Sequence, residues 1–279
     1  MFRAVLMNRQ APESDRLIAA ELADDLVAMN DQLADTLMGI LGSGEEPDEL
    51  RAKAAISLGP VLEQADIDEF DDADEAPISE RTFHTIQNLL RKLYEDDSIP
   101  RKVRRRILEA AVRAPEDWQR EAIRQAYASG DRDWVLTAVF AMRWMRGFED
   151  QILQALQSKD AEILREAVEA AGNWELAAAW PHIATLVRDS ATPKPLLLAA
   201  IGATGAIRPN EAREILGKRA ASDDVDIAEA AYEAILMAEG RGDEDFEDEE
   251  EDENEQRLDQ LSGIRGGAAL KDIQGRNRP

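Results

Sequence analysis

The chain contains no cysteine. Disulfides, thiolate metal ligands and a cysteine nucleophile are therefore excluded. Imidazole is nearly as scarce: His84 and His182 are the only histidines, too few for a His-rich metal site. Aromatic residues make up 5% of the chain, so a core must be built from Ala, Leu, Ile and Val. That composition suits close-packed helices and not a β-sandwich. No run of 18 apolar residues occurs, and the opening MFRAVLMNRQ lacks a long apolar stretch and a small-residue cleavage site. Neither a membrane span nor a signal peptide is expected, and the cytoplasm is the expected location. Glycine-rich phosphate loops are missing as well, since Gly263, Gly266 and Gly267 fall in a polar C-terminal stretch. No cofactor and no metal are expected.

What is abundant is acid. The formal net charge is −25, which opposes long-range attraction to nucleic acid or anionic membranes. Its distribution is uneven. Residues 239–255 hold twelve Asp/Glu and one Arg, whereas residues 81–146 hold fourteen Lys/Arg against nine Asp/Glu. A basic middle is followed by an acidic end.

The apolar pattern is helical almost throughout. Leu17, Ile18, Leu22, Leu26, Met29, Leu33 and Leu37 recur at three- and four-residue steps, which predicts one amphipathic helix over 14–41 acting as a cap within 1–44. From Pro47 onward the chain falls into helix pairs marked by two recurring turns. Ser129-Gly130-Asp131, Ser158-Lys159-Asp160 and Ser222-Asp223-Asp224 each precede a helix that their aspartate can cap. Ala114-Pro115-Glu116-Asp117, Gly147-Phe148-Glu149-Asp150 and Arg208-Pro209-Asn210-Glu211 sit half a repeat away, with proline or acid suited to a helix start. First helices are expected over 100–113, 133–145, 162–171, 194–206 and 225–238, and second helices over 116–128, 149–158, 175–188 and 210–221. A period near 31 residues with two helices per unit means a solenoid, in which each pair buries its apolar face only against its neighbours. The solenoid is expected over 45–239. Its first unit is read as interrupted by an acidic insert at 66–77 that displaces the second helix to 79–95, and residues 240–279 read as a disordered tail.

Leu50-Arg51-Ala52-Lys53-Ala54-Ala55-Ile56-Ser57-Leu58-Gly59 and Ile163-Leu164-Arg165-Glu166-Ala167-Val168-Glu169-Ala170-Ala171-Gly172 resemble the first helix of HEAT-like repeats, in particular the bacterial type named after phycobilisome lyases. The run from Asp160 to Asp189 resembles a full repeat of that type. The resemblance covers about 47–238 and implies an armadillo-type, right-handed α-α superhelix. Such repeats serve scaffolds, adaptors, lyase subunits and DNA-repair proteins alike, so the resemblance implies a fold and no single activity.

Candidate sites are few. The acidic insert lacks the glycine of a calcium loop and places Phe70 where a ligand would stand, so it reads as a solvated loop. Arg101-Lys102-Val103-Arg104-Arg105-Arg106 could track phosphates, but it covers most of a helix circumference and has Glu95, Asp96 and Asp97 close by in sequence. His182 has no nucleophile and carboxylate at a recognisable spacing. Tryptophan and arginine, the residues most enriched at interaction hot spots, form the remaining set. Trp118, Arg120, Arg124, Trp134, Arg143, Trp174 and Trp180 are the expected partner-binding residues, while Trp144 is assigned to a helix core. The leading expectation is a non-enzymatic scaffold that binds a protein along a face of second helices, with Gln151, Gln154, Arg213 and Lys218 alongside Arg120 and Arg124. The acidic tail would screen the basic region. Two alternatives stay open at this point: a nucleic-acid-binding or repair-like protein using 81–146, and a lyase-type subunit acting on a tetrapyrrole.

Overall fold

A computed structural model describes residues 2–24, 28–68 and 76–240. All regular structure among them is helical. The tail at 241–279, and with it the expected disorder and screening role, lies outside the described residues, as do 69–75 of the acidic insert. The chain divides into two compact units, Met1–Ala179 and Trp180–Pro279.

The first unit opens with α1 (Phe2–Met7), α2 (Glu13–Glu21) and α3 (Asp31–Gly42). The single helix expected over 14–41 is thus broken. After α2 the backbone tightens into a 3₁₀ turn at Leu22–Asp24, and Asn30 starts a new helix by accepting a hydrogen bond from the Leu33 amide. An Asx cap costs little to form and overrides a stripe that runs on through it, and Ile18 and Leu22 consequently stand exposed. The layer is tied by Arg16, whose guanidinium donates to the Leu6 carbonyl at 3.0 and 2.8 Å and to Glu46 Oε2 at 2.6 Å, all three buried. That bond holds the Glu46 carboxyl below its ordinary range.

The first pair departs from expectation too. Helix α4 (Asp48–Ser57) is followed at once by α5 (Gly59–Asp68), so the insert does not displace the second helix; it separates α5 from a further helix, α6 (Glu80–Glu95). Val61, Leu62 and Ala65 of α5 are buried, which gives that segment its reason to be helical. Ser79 caps α6, and its own amide donates to Asp31 at 2.8 Å.

Regular pairing continues with α7 (Arg101–Ala111), α8 (Asp117–Ala128), α9 (Arg132–Ala141), α10 (Glu149–Ala155) and α11 (Ala161–Asn173). Helix α4 packs on α7, α7 on α9 and α9 on α11, forming a continuous row of first helices. Helices α3, α6, α8 and α10 each pack against the first helix next in the chain. The core runs between the rows through Leu37, Leu50, Leu58, Ile86, Leu90 and Ile107, each with no exposed surface. Burying such a side chain contributes about 1.5–3 kcal/mol.

The second unit contains α12 (Trp180–Arg188), preceded by a 3₁₀ turn at Ala177–Ala179 that belongs to the first unit, then α13 (Lys194–Ile207), α14 (Ala212–Ala220) and α15 (225–240). A Cβ on Gly205 would lie 2.7 Å from the Ala234 carbonyl oxygen, so glycine is what lets α13 approach α15.

The Ser-x-Asp turns behave alike. Ser129, Ser158 and Ser222 Oγ accept from the amides of Asp131, Asp160 and Asp224 at 3.2, 3.1 and 3.2 Å. Each aspartate then accepts from the first free amides of its helix. Each also takes the first cation of a neighbouring first helix: Arg101 to Asp131 at 3.0 Å, Arg132 to Asp160 at 2.8 Å and Lys194 to Asp224 at 2.7 Å. One carboxylate therefore caps its own repeat and latches the one before it.

Candidate partner-binding site

The expected first helix over 133–145 ends early. Helix α9 stops at Ala141, and 142–147 form a turn closed by Gly147 at φ 94°, a conformation that favours glycine. This turn repeats the one after α7. Val112 and Met142 bond to Leu108 and Ala138, Arg113 and Arg143 to Ala110 and Phe140, and Ala114 and Trp144 to Ala111 and Ala141. Two arginines, Arg113 and Arg143, are thereby delivered from successive repeats to one place on the first-helix row.

The Trp144 ring lies close to both. It carries the Arg113 guanidinium 5.1 Å and the Arg143 guanidinium 5.0 Å from the centroid, and Phe140 packs against it at 4.7 Å. Trp144 is therefore not a core residue; it is half-buried, with a guanidinium near its ring from each of two repeats. Carboxylates fix both cations from behind: Arg113 to Glu63 at 2.5 Å, Arg143 to Glu169 at 2.5 Å. Gly59 leaves room for this, because a Cβ there would meet Arg113 Cδ at 2.7 Å.

Two acids of the first-helix row are buried, Glu109 on α7 and Glu166 on α11. Glu109 accepts from Thr137 Oγ1 at 2.6 Å and from Arg106, with Arg105 within 3.9 Å. Glu166 accepts from Arg165, while its Oε2 is buried with no hydrogen-bond partner and Arg143 stands 3.7 Å away. Burial, and after it the negative charge of Glu169, pushes the Glu166 carboxyl above its ordinary range despite Arg165 and Arg143. The site thus joins an aromatic ring, a guanidinium from each of two successive repeats and a buried carboxyl held above its ordinary range.

Of the residues expected at a partner site, only Arg143 belongs to this constellation. Trp118 is half-buried, donates to Glu116 at 2.9 Å and lies 5.2 Å from the Tyr94 ring. Trp134 lies edge-on to Tyr94, 6.5 Å between ring centroids, and lines a cleft of about 360 Å³ with Arg101, Lys102, Arg105, Asp131 and Asp133. Arg120 donates to the Arg146 carbonyl at 2.7 Å, pinning the turn at Gly147. Arg124 is exposed and lies 3.6 Å from Glu121. Trp174 donates to the Met142 carbonyl at 2.7 Å and carries Arg146 on its face at 4.5 Å. Trp180, in the second unit, lies 5.6 Å from the Arg208 guanidinium. The sequence pattern puts Trp144 in a helix core and does not single out Arg113. The signal that could have found them is that Arg113 and Arg143 occupy the same position one repeat apart.

The basic run at 101–106 is neutralised residue by residue. Arg101 pairs with Asp131, Lys102 with Glu49, Arg104 with Asp97, Arg105 with Asp133 and Arg106 with Glu109.

Stacked helix pairs define the class of this protein as an all-helical repeat protein. No protein-family model and no curated protein matches the sequence. Among solved structures it is similar to human deoxyhypusine hydroxylase in complex with glycerol, at 16% identity and a TM-score of 0.38, over 86% of this chain and 95% of that one. An engineered protein is similar at 18% identity and a TM-score of 0.34, over 86% of this chain and 95% of its own. The first of these is by its name an enzyme, which corrects the expectation of a non-enzymatic chain: an absence of catalysis is no longer part of the functional reading.

Proposed function

We propose that the chain is an adaptor that binds a segment of a protein partner across the first-helix row of its first unit, with Trp144 as the anchor. The observation that carries this reading is the Arg113–Trp144–Arg143 stack. A large ring with two guanidiniums near it, each already fixed by a carboxylate, loses little freedom on binding, and preorganisation of that kind converts contact into affinity. Proline, carbonyl and carboxylate groups of a peptide all suit such a surface. A nucleic-acid partner is disfavoured by the net charge of −25 and by the pairing of each cation in 101–106 with an acid.

The test uses the full chain as bait in extracts of its native host, beside Trp144→Ala and an Arg124→Ala control. Each partner is then purified and titrated by calorimetry. Loss of a hot-spot tryptophan weakens binding by about 30-fold or more. A Trp144→Ala chain with unchanged circular dichroism and unchanged affinity overturns the reading. Loss of binding in Arg124→Ala alone would move the site to the second helices.

A further inference from the structure

Two tryptophans of the first unit occupy the same place in successive repeats. Trp144 and Trp174 stand thirty residues apart, as do Arg143 and Asn173 just before them, where the chain leaves α9 and α11. The two places adjoin. Helices α9 and α11 pack on each other, and Asn173 Nδ2 and Trp174 Nε1 donate to the Arg143 and Met142 carbonyls, both at 2.7 Å. Packed helices lie about 8–10 Å apart, which sets the step from one half-buried indole to the next. The indoles differ in one respect. The N–H of Trp174 is committed to Met142, whereas Trp144 Nε1 makes no hydrogen bond among the described residues and is not sealed from solvent. Beside them Arg146 is exposed, 4.5 Å from the Trp174 ring, and Arg120 holds its carbonyl. Neither arginine enters an ion pair among the described residues.

We infer that the partner segment is a proline-containing extended peptide laid across this edge from Trp144 to Trp174, with an acidic residue at the Trp174 end. The inference rests on the adaptor reading above and gives its partner a chemical class. A polyproline II chain turns every three residues and rises about 3.1 Å per residue, so every third side chain returns to one face about 9 Å further on. That step matches the spacing of the two indoles. In a β-strand the third residue along points to the opposite face, so one strand does not serve both rings this way. An α-helix regains a face after seven residues, about 10.5 Å, but its carbonyls are bonded within the helix and leave the Trp144 N–H without an acceptor. A polyproline chain keeps its carbonyls open, and its prolines bring no N–H that would be stranded against a ring. The guanidiniums of Arg146 and Arg120 then suit a carboxylate beside Trp174.

The full-length chain is screened against three displayed libraries of short peptides: proline at every third position, proline at every second position, and a helix-forming background without proline. Charged residues are varied at both ends of each. Selected peptides are titrated by calorimetry against wild type, Trp144→Ala and Arg146→Glu, with circular dichroism to show that each variant is folded. The expected result is selection from the first library, of peptides with an acid at one end. Their affinity should fall about 30-fold in Trp144→Ala. It should fall about tenfold in Arg146→Glu and recover when lysine replaces the acid of the peptide. Selection from the second or third library, or from none, overturns the inference. Binding of first-library peptides that neither variant weakens overturns it as well. In either case a host partner that still requires Trp144 leaves the adaptor reading standing and only the peptide class wrong, while a host partner indifferent to Trp144 removes both.

Discussion

At the scale of single residues, two kinds of carboxylate set the behaviour of this chain. Asp160 is a cap with a latch: hydrogen bonds from Arg132 and from the amides of Ile163 and Glu162 hold it below the ordinary Asp range. Asp160→Ala is expected to cost about 1 kcal/mol in urea unfolding, as loss of an N-cap does, with little further loss from the exposed ion pair. Glu166 is the opposite case, buried, half-satisfied and raised. Glu166→Gln keeps its shape and removes the charge. Its stability at neutral pH is expected within about 1 kcal/mol of wild type, because burial already penalises the Glu166 carboxylate and Arg165 and Arg143 both keep Glu169 as a partner. Gly59 gives a third prediction of a different kind. In Gly59→Ala the new methyl clashes with the flexible arm of Arg113 at 2.7 Å and meets the Ala110 backbone at an ordinary 3.5 Å, so the fold is retained while the arm is pushed off Trp144. Partner affinity should fall with little change in melting temperature, a split that calorimetry and thermal unfolding together resolve.

At the scale of elements, close approach of α13 and α15 makes Gly205 the most sensitive glycine described. Gly205→Ala forces a methyl against the Ala234 carbonyl and is expected to destabilise the second unit by about 1–3 kcal/mol, seen as earlier exchange of 194–207 and 225–240. Elements bounded by Ser-x-Asp turns were legible in the sequence because the cap that stops one helix and starts the next is written in side chains that act locally. Helices α9, α11 and α15 start one residue after their aspartates or within the next turn. The N-terminal layer was not legible. Its apolar stripe keeps a three- and four-residue step across a break that only Asn30 marks. Trp144 was misread for a related reason. An apolar run continues past Ala141, but the chain leaves the helix there to form the turn that carries Arg143. The pairing of Arg113 with Glu63, fifty residues apart, depends on α5 following α4 directly, which a break at the insert concealed.

At the scale of the whole molecule, the two kinds of acid give stability a shape against pH. Asp131, Asp160, Asp224 and Glu46 are depressed in the folded chain, so their contribution is present above the ordinary carboxylate range and is lost as pH falls through their lowered values. Glu166 is raised, so its contribution is full below the ordinary Glu value and is lost as pH rises through its own. Urea midpoints measured across pH should therefore drop steeply below about pH 4. They should also decline gently as pH rises above the ordinary Glu range, and Glu166→Gln should flatten that decline without moving the acid limb. The shared cap has a further consequence for how such a chain can lengthen. Arg132 finds Asp160 only because 28 residues separate them, and Lys194 finds Asp224 across 30. A few residues gained or lost inside a first helix would strand the cation on one repeat and the aspartate on the next. Whole repeats can be copied or removed without that penalty, while the turns after the first helices can absorb small insertions. The ladder thus sets the grain at which this architecture tolerates change: a full repeat, or a loop, and little in between.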